Sequence, residues 1–279
     1  MERQGQMNAD VEGHYKGEGN LADKIAAGLE EAGKSLDDLT TTDLAAIDEF
    51  HIRGRKATLE LGAQLNLGMN SRLLDLGSGL GGPARTLAET YGCDVEGIDL
   101  TAEFCKAANV MSSWLGLTGK VNCQQGDATD LPFPDNHFDA VMTIHVAMNI
   151  PAKDKLYAEA RRALKPGGRF AAYDVIQGDG GEVHFPVPWA REPAISHLAS
   201  DGDMQSLLTE AGFRILDIQD SSEESLNWFE ERMKQLTDSG PPPVSFNAFL
   251  GSDYPVMVRN QVRNLAEGRI RTIAYVCEG

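Results

Sequence analysis

LLDLGSGLGG, residues Leu73 to Gly82, reads as a buried strand that breaks into a glycine turn and then a helix. Leu73, Leu74 and Leu76 suit a strand covered on both faces. Gly77, Gly79, Gly81 and Gly82 remove side chains where backbone must approach a ligand. The PARTLAETYG segment then carries helical spacing through Ala84, Leu87 and Ala88, so free N–H groups at its start point into the space the glycines leave open. Gly77, Gly79 and Gly82 satisfy G-x-G-x-x-G, and Asp99 follows a second strand about twenty residues on, as a dinucleotide site also requires. A nucleotide-type ligand is implied, and its identity stays open at this point.

The 279 residues suffice for one large domain with additions. A net charge of −17 without any Lys/Arg cluster disfavours nucleic acid and other polyanions. The polar start MERQGQMNAD has no apolar leader core, and no run reaches the length of a membrane span, so a cytoplasmic protein without membrane insertion is expected. Cys93, Cys105, Cys123 and Cys277 are too widely spaced for a metal or redox motif and read as reduced structural thiols. A homodimer is compatible with the sequence, which does not fix oligomeric state.

Before the first strand, Leu21, Ile25, Leu29 and Ala32 mark one helix, and Leu44, Ile47, Leu61 and Leu65 the apolar side of a second running from about Thr42 through Leu65. The run Phe50 to Arg55 interrupts that side with His51, two arginines and Gly54, and reads as a local kink, a ligand contact or a solvated basic turn. Further strands are expected at Asp94–Ile98, Val121–Gln125, Phe138–Ile144 and Arg169–Val175, with Lys165 to Gly168 as a turn. Strand-helix alternation gives a doubly wound, mostly parallel sheet. The glycine turn, Asp99, Asp127 and His145 each follow a strand, which is the edge where ligands bind in such sheets. Residues 178–200, rich in Gly, Pro and aromatics, read as a lid over that edge. A helical insertion occupies about 220–266, and Ile270 to Val276 forms a last strand antiparallel to one beginning at Phe213. The chain thus divides into an N-terminal helical cap, 1–67, and a sheet domain, 68–279.

This pattern resembles the class I S-adenosylmethionine-dependent methyltransferases, over Ser71 to about Val175. The residues that carry it are LLDLGSGLGG with Asp75 before the first glycine, Gly97-Ile98-Asp99, Gly126-Asp127-Ala128 followed by LPFPDNHFD, and RRALKPGGRF. Within the class, FHIRGRKATLEL from Phe50, HVAMN from His145 and HFPVPWA from His184 look like bacterial small-molecule methyltransferases near the sarcosine/dimethylglycine and tocopherol-type enzymes. The resemblance implies a seven-stranded Rossmann-like fold and S-adenosyl-L-methionine as cofactor. It sets Gly77 and Gly79 against the methionine part, with Ser78 between them also cofactor-binding, and makes Asp75 a brace of the loop. Asp99 accepts from both ribose hydroxyls, the neighbouring Leu100 is also cofactor-binding, Asp127 accepts from the adenine amino group, and the Ala128 N–H reaches a ring nitrogen.

Methyl transfer needs an acceptor lone pair aligned in a dry site more than it needs catalytic side chains. Nitrogen is the first expectation for the acceptor atom, ahead of oxygen or carbon. His145, after the fourth strand, is the leading candidate base and equally a holder of the methionine moiety; His51 is second. Tyr15, His184, Phe185 and Trp189 are candidate roof residues over the acceptor, while Trp228 is read first as packing. No carboxylate cluster suggests a metal. An NAD-dependent oxidoreductase, or a cofactor-binding regulatory protein without turnover, are the competing readings.

Overall fold

The computed structural model describes residues 20–239 and 253–279; Tyr15 and the Pro241–Pro243 run lie outside them. In chain order α1 (Leu21–Glu31), α2 (Thr41–Asp48) and α3 (Gly54–Gly62) precede β1 (Arg72–Leu76). Then come α4 (Gly82–Tyr91), β2 (Asp94–Asp99), α5 (Ala102–Trp114), β3 (Val121–Gln125), β4 (Phe138–Ile144), α6 (Lys153–Ala163) and β5 (Leu164–Gln177). Past a long irregular connection follow α7 (Asp201–Glu210), β6 (Arg214–Asp220), α8 (Ser222–Ser239), α9 (Tyr254–Ala266) and β7 (Ile270–Glu278).

Period-2 alternation in β1 builds the two core layers. Leu73 packs with Leu87, Met142 and Tyr173 on one face, and Leu74 and Leu76 pack with Val141, Tyr157 and Phe170 on the other. Among the described residues the strands form one seven-stranded sheet in the order β3-β2-β1-β4-β5-β7-β6. Neighbours from β3 to β5 are parallel, whereas β7 runs antiparallel to both β5 and β6. Strand order reverses between β1 and β4, which opens a crevice at their carboxyl ends. The four cysteines are buried free thiols, and burial pushes Cys105, Cys123 and Cys277 up to about 12. No helix among the described residues is long and apolar enough to cross a membrane.

Two local expectations are corrected. The helix read as continuous from Thr42 through Leu65 is two helices, because the chain breaks at Glu49–Arg53, with Arg53 at φ +68 and Gly54 at φ +47. The break has a tertiary cause: Asp48 is drawn against the glycine turn, where a Cβ on Gly82 would stand 2.3 Å from the Asp48 carbonyl oxygen. The Lys165–Gly168 turn is instead absorbed into β5, which starts at Leu164. Gly167 N donates to Gly279 O at 2.7 Å, and Gly279 N to Gly168 O at 3.1 Å, so Gly279 ties this segment into the sheet with Gly167 at φ +74. A register shift against β4 between Phe138 and Ala140 takes up the extra residues.

Candidate functional site

The glycine turn is fixed from below by β2. Gly77 N and Ser78 N both donate to the Ile98 carbonyl, at 2.7 and 3.0 Å. Gly77, at φ +77, admits no side chain, since a Cβ would lie 2.3 Å from Val146 Cγ2; the loop after β4 therefore closes directly on the turn. Asp99 ties turn and helix together: Oδ2 accepts Gly79 N and Oδ1 accepts Thr101 N, each at 2.9 Å. Asp127 Oδ1 accepts both the N–H and the hydroxyl of Thr129, at 2.8 and 2.7 Å, which fixes the loop after β3.

From above, the N-terminal helices close the crevice. Leu21, Ile25, Leu44 and Ile47 pack on Leu80 of the turn and on Ala107 and Met111 of α5. Arg85, fully buried on α4, donates to Asp48 Oδ2 at 2.7 Å, to Ala108 O at 2.9 Å and to Leu80 O at 2.5 Å. The loop beyond α2 then carries Glu49 and His51 to the cavity. Glu49 is held by Thr58 Oγ1 and Thr86 Oγ1, at 2.6 and 2.7 Å.

Between these layers lies a cavity of about 560 Å³. One end is lined by Asp75, Gly77, Ser78, Gly79, Asp99, Leu100, Asp127 and Ala128, every residue that the sequence assigned to the cofactor apart from His145, which lines the middle together with His51. The opposite end is closed by Trp189 of the irregular connection, by Trp228 and Arg232 of α8, and by Tyr254 and Gln261 of α9. Asp75 lies one residue before the end of β1. Its Oδ2 is buried without a hydrogen-bond partner, and burial, reinforced by the charges of Asp99 and Glu49, pushes its carboxyl up to about 8. Burial likewise raises Asp99.

The two histidines meet there as rings 6.0 Å apart at 74°, and His145 also lies 4.9 Å from the Tyr173 ring. His145 sits in the left-handed region at φ +53, held by its N–H to the Tyr173 carbonyl at 2.8 Å; such a conformation costs on the order of 1 kcal/mol. Its Nε2 is buried and unpartnered, and burial holds the ring well below the ordinary histidine pKa. His51 Nε2 lies 2.9 Å from the Gly54 carbonyl, which can only accept, so Nε2 carries the proton and Nδ1 the lone pair. Burial lowers His51 to about 4.

The roof expectations divide. Trp189 lines the cavity, with Nε1 donating to Ser196 Oγ at 3.0 Å, and Asn149 Nδ2 reaches the Trp189 carbonyl at 2.7 Å, fastening the connection to the loop after β4. His184 and Phe185 do not line it. His184 is turned outward, its backbone exchanging hydrogen bonds with the Asn264 amide and its ring lying 3.2 Å from Glu267. Phe185 packs among Val187, Trp189 and Leu265. Trp228, read as packing, reaches the cavity. Arg232, Tyr254 and Gln261 were missed. The spacing of Trp228 to Arg232, four residues apart in an amphipathic helix, is the signal that marked them as sharing a face. Among the described residues no group of three or more His, Cys, Asp or Glu side chains is set to hold a metal ion.

Residues 74–172 match the family described as Methyltransferase domain. Sterol 24-C-methyltransferase erg6 of Schizosaccharomyces pombe is 31% identical over 61% of this chain and 47% of its own length. The chain spans about a quarter to a half of the length of the sterol relatives it matches. Among solved structures, geranyl diphosphate C-methyltransferase from Streptomyces coelicolor A3(2) superposes with a TM-score of 0.66 at 18% identity, covering 80% of this chain and 78% of that one. A putative sarcosine dimethylglycine methyltransferase from Galdieria sulphuraria gives 0.61 at 20% identity, covering 80% and 83%. At these identities the structural likenesses speak to the fold, a Rossmann-like sheet with flanking helices.

Proposed function

We propose, on the premise that residues 74–172 match a methyltransferase domain, that the chain is a class I S-adenosylmethionine-dependent methyltransferase that transfers the methyl group of S-adenosyl-L-methionine to a small-molecule acceptor, with nitrogen as the first expectation for the methylated atom. The observation that carries this reading is the unpartnered, buried Asp75 Oδ2 in the acidic end of the cavity. A carboxyl raised to about 8 by burial and by its acidic neighbours is the group that a ligand ammonium would restore to its charged form. The residues therefore fit the cofactor: Asp75, Gly77, Ser78 and Gly79 for the amino acid part, Asp99 and Leu100 for the ribose, Asp127 and Ala128 for the adenine. When bound, the cofactor supplies a methyl carbon already made electrophilic by its sulfonium.

What this chain adds is alignment and dryness. His145 is a poor proton remover, since a ring held well below its ordinary pKa has little basicity at neutral pH. In the tautomer that leaves the lone pair on the unpartnered Nε2, it can instead accept a hydrogen bond from an acceptor N–H or O–H and turn the acceptor's own lone pair toward the methyl. His51, fixed by Gly54 and Thr58, offers Nδ1 from the opposite wall. The N-terminal helices and the aromatic residues Trp189 and Trp228 exclude water.

Calorimetry with S-adenosylhomocysteine against NAD tests the cofactor, and transfer of a labelled methyl group into a small-molecule extract tests the reaction. Binding of S-adenosylhomocysteine with release into extract metabolites is the expected result. Binding of NAD alone overturns the reading.

A further inference from the structure

The end of the cavity away from Asp99 differs in charge from the cofactor end. Four cationic side chains line the cavity as a whole: Arg53, Arg55, Lys56 and Arg232. Three of them have carboxylate partners, Arg53 and Lys56 in Glu60 and Arg55 in Glu89. Arg232 has none among the described residues. Its guanidinium carbon instead lies 5.5 Å from the centre of the Trp228 ring, a cation-π contact that sets the planar fork beside the aromatic wall. In a chain with 42 acidic and 25 basic residues, a cavity arginine left without an acid is a conspicuous omission.

A second, independent observation lies across from it on α9. Tyr254, Val258 and Gln261 share one helical face and all line the cavity. Gln261 is 5% exposed and makes no hydrogen bond to the described residues. Its amide lines the cavity without a partner among those residues, so both its donor and its acceptor are open to a ligand there. Arg232, Gln261 and the Tyr254 phenol thus converge on a space whose walls are Trp189, Trp228, Phe229 and Val258.

We propose that the methyl acceptor is an organic anion, its acidic group held by the Arg232 guanidinium and the Gln261 amide and its apolar body resting on Trp228 and Trp189. This deepens the methyltransferase reading and rests on it. The charge layout explains how two ligands enter one cavity in the right order of ends: the acidic end attracts a sulfonium, and the single unpaired cation attracts an acid. Arginine suits the task because its fork meets a carboxylate or phosphate through two parallel bonds.

The test is calorimetric titration of the full chain, saturated with S-adenosylhomocysteine, using phenylacetate and phenyl phosphate as anionic probes and phenylacetamide as the neutral counterpart. At least one anion is expected to bind about tenfold or more tighter than the amide, the size of a charge-assisted hydrogen bond. Arg232→Gln should reduce that preference to less than about threefold, and Arg232→Lys should keep part of it, with S-adenosylhomocysteine affinity unchanged in both. Whichever anion wins identifies carboxylate or phosphate as the group recognised. If neither anion binds better than the amide, or if Arg232→Gln keeps the full preference, the proposal is overturned. Failure of S-adenosylhomocysteine to bind, with the anion preference intact, would instead remove the methyltransferase reading.

Discussion

Arg85 on α4 and Asp48 at the end of α2 meet at 2.7 Å with side chains 1% and 3% exposed, so a buried ion pair joins the N-terminal helices to the glycine turn. Breaking one member leaves the other charge without compensation. Arg85→Met is therefore expected to destabilise the protein by about 3 to 5 kcal/mol, whereas replacing both residues, as Arg85→Met with Asp48→Leu, should recover much of that loss. Denaturant unfolding of the two single variants and the double variant measures the cycle. Additive losses would show that the pair is not a unit.

Asp99 accepts Gly79 N and Thr101 N through different oxygens, so each oxygen retains capacity for a further donor from a ligand. Asp99→Ala should weaken S-adenosylhomocysteine binding by about 1 to 3 kcal/mol, with Asp99→Asn falling between it and the parent. Calorimetric affinity at fixed pH is the measurement, and an unchanged value for Asp99→Ala would remove Asp99 from the cofactor site.

Asp75, raised to about 8, holds a proton at neutral pH in the absence of ligand. A cationic ligand group placed beside it should displace that proton, so cofactor binding at pH 7 should release up to about one proton. Calorimetry in phosphate and Tris, which differ in ionisation enthalpy, reads the release directly, and Asp75→Asn should abolish it. The same shift sets a stability slope. As pH rises from about 4 through about 8, the unfolded chain loses this proton before the native state does, so native stability declines across that window. Asp75→Asn should accordingly melt higher than the parent above pH 8 while binding the cofactor less tightly. Equal binding enthalpies in the two buffers would contradict the assignment.

Much of this architecture is legible in the residues themselves, for local reasons. The leucines of β1, the glycines after it and the helical spacing of α4 each specify their own backbone, so the turn could be read from Leu73 to Gly82. The acids at the end of β2 and just after β3 fall at the same edge because a parallel sheet places strand ends there. What could not be read depends on distant partners. The break between α2 and α3 requires Arg85 to draw Asp48 onto Gly82. The incorporation of Lys165–Gly168 into β5 requires hydrogen bonds to Gly279, more than a hundred residues along the chain. His184 has the composition of a pocket residue, yet Asn264 and Glu267 on α9 turn it outward. Arg232 and Gln261 become neighbours in one cavity only once α8 and α9 are set side by side.

His51 supplies the remaining prediction. Burial holds its ring at about 4 against the opposing influence of the Gly54 carbonyl and the Asp48 charge, and the unfolded chain titrates near 6.5. Between those values the native state binds fewer protons than the unfolded state, so stability is lost as pH falls through the window. The contribution amounts to about 2 to 3 kcal/mol at pH 4.5 relative to pH 7. His51→Gln keeps a donor for the Gly54 carbonyl but cannot take up a proton. Denaturation midpoints of parent and variant should therefore converge between pH 7 and pH 4.5, the variant showing the flatter decline. Parallel declines would mean that His51 is not the group that acid charges, and that the N-terminal helices are held over the cavity in a way its protonation does not touch.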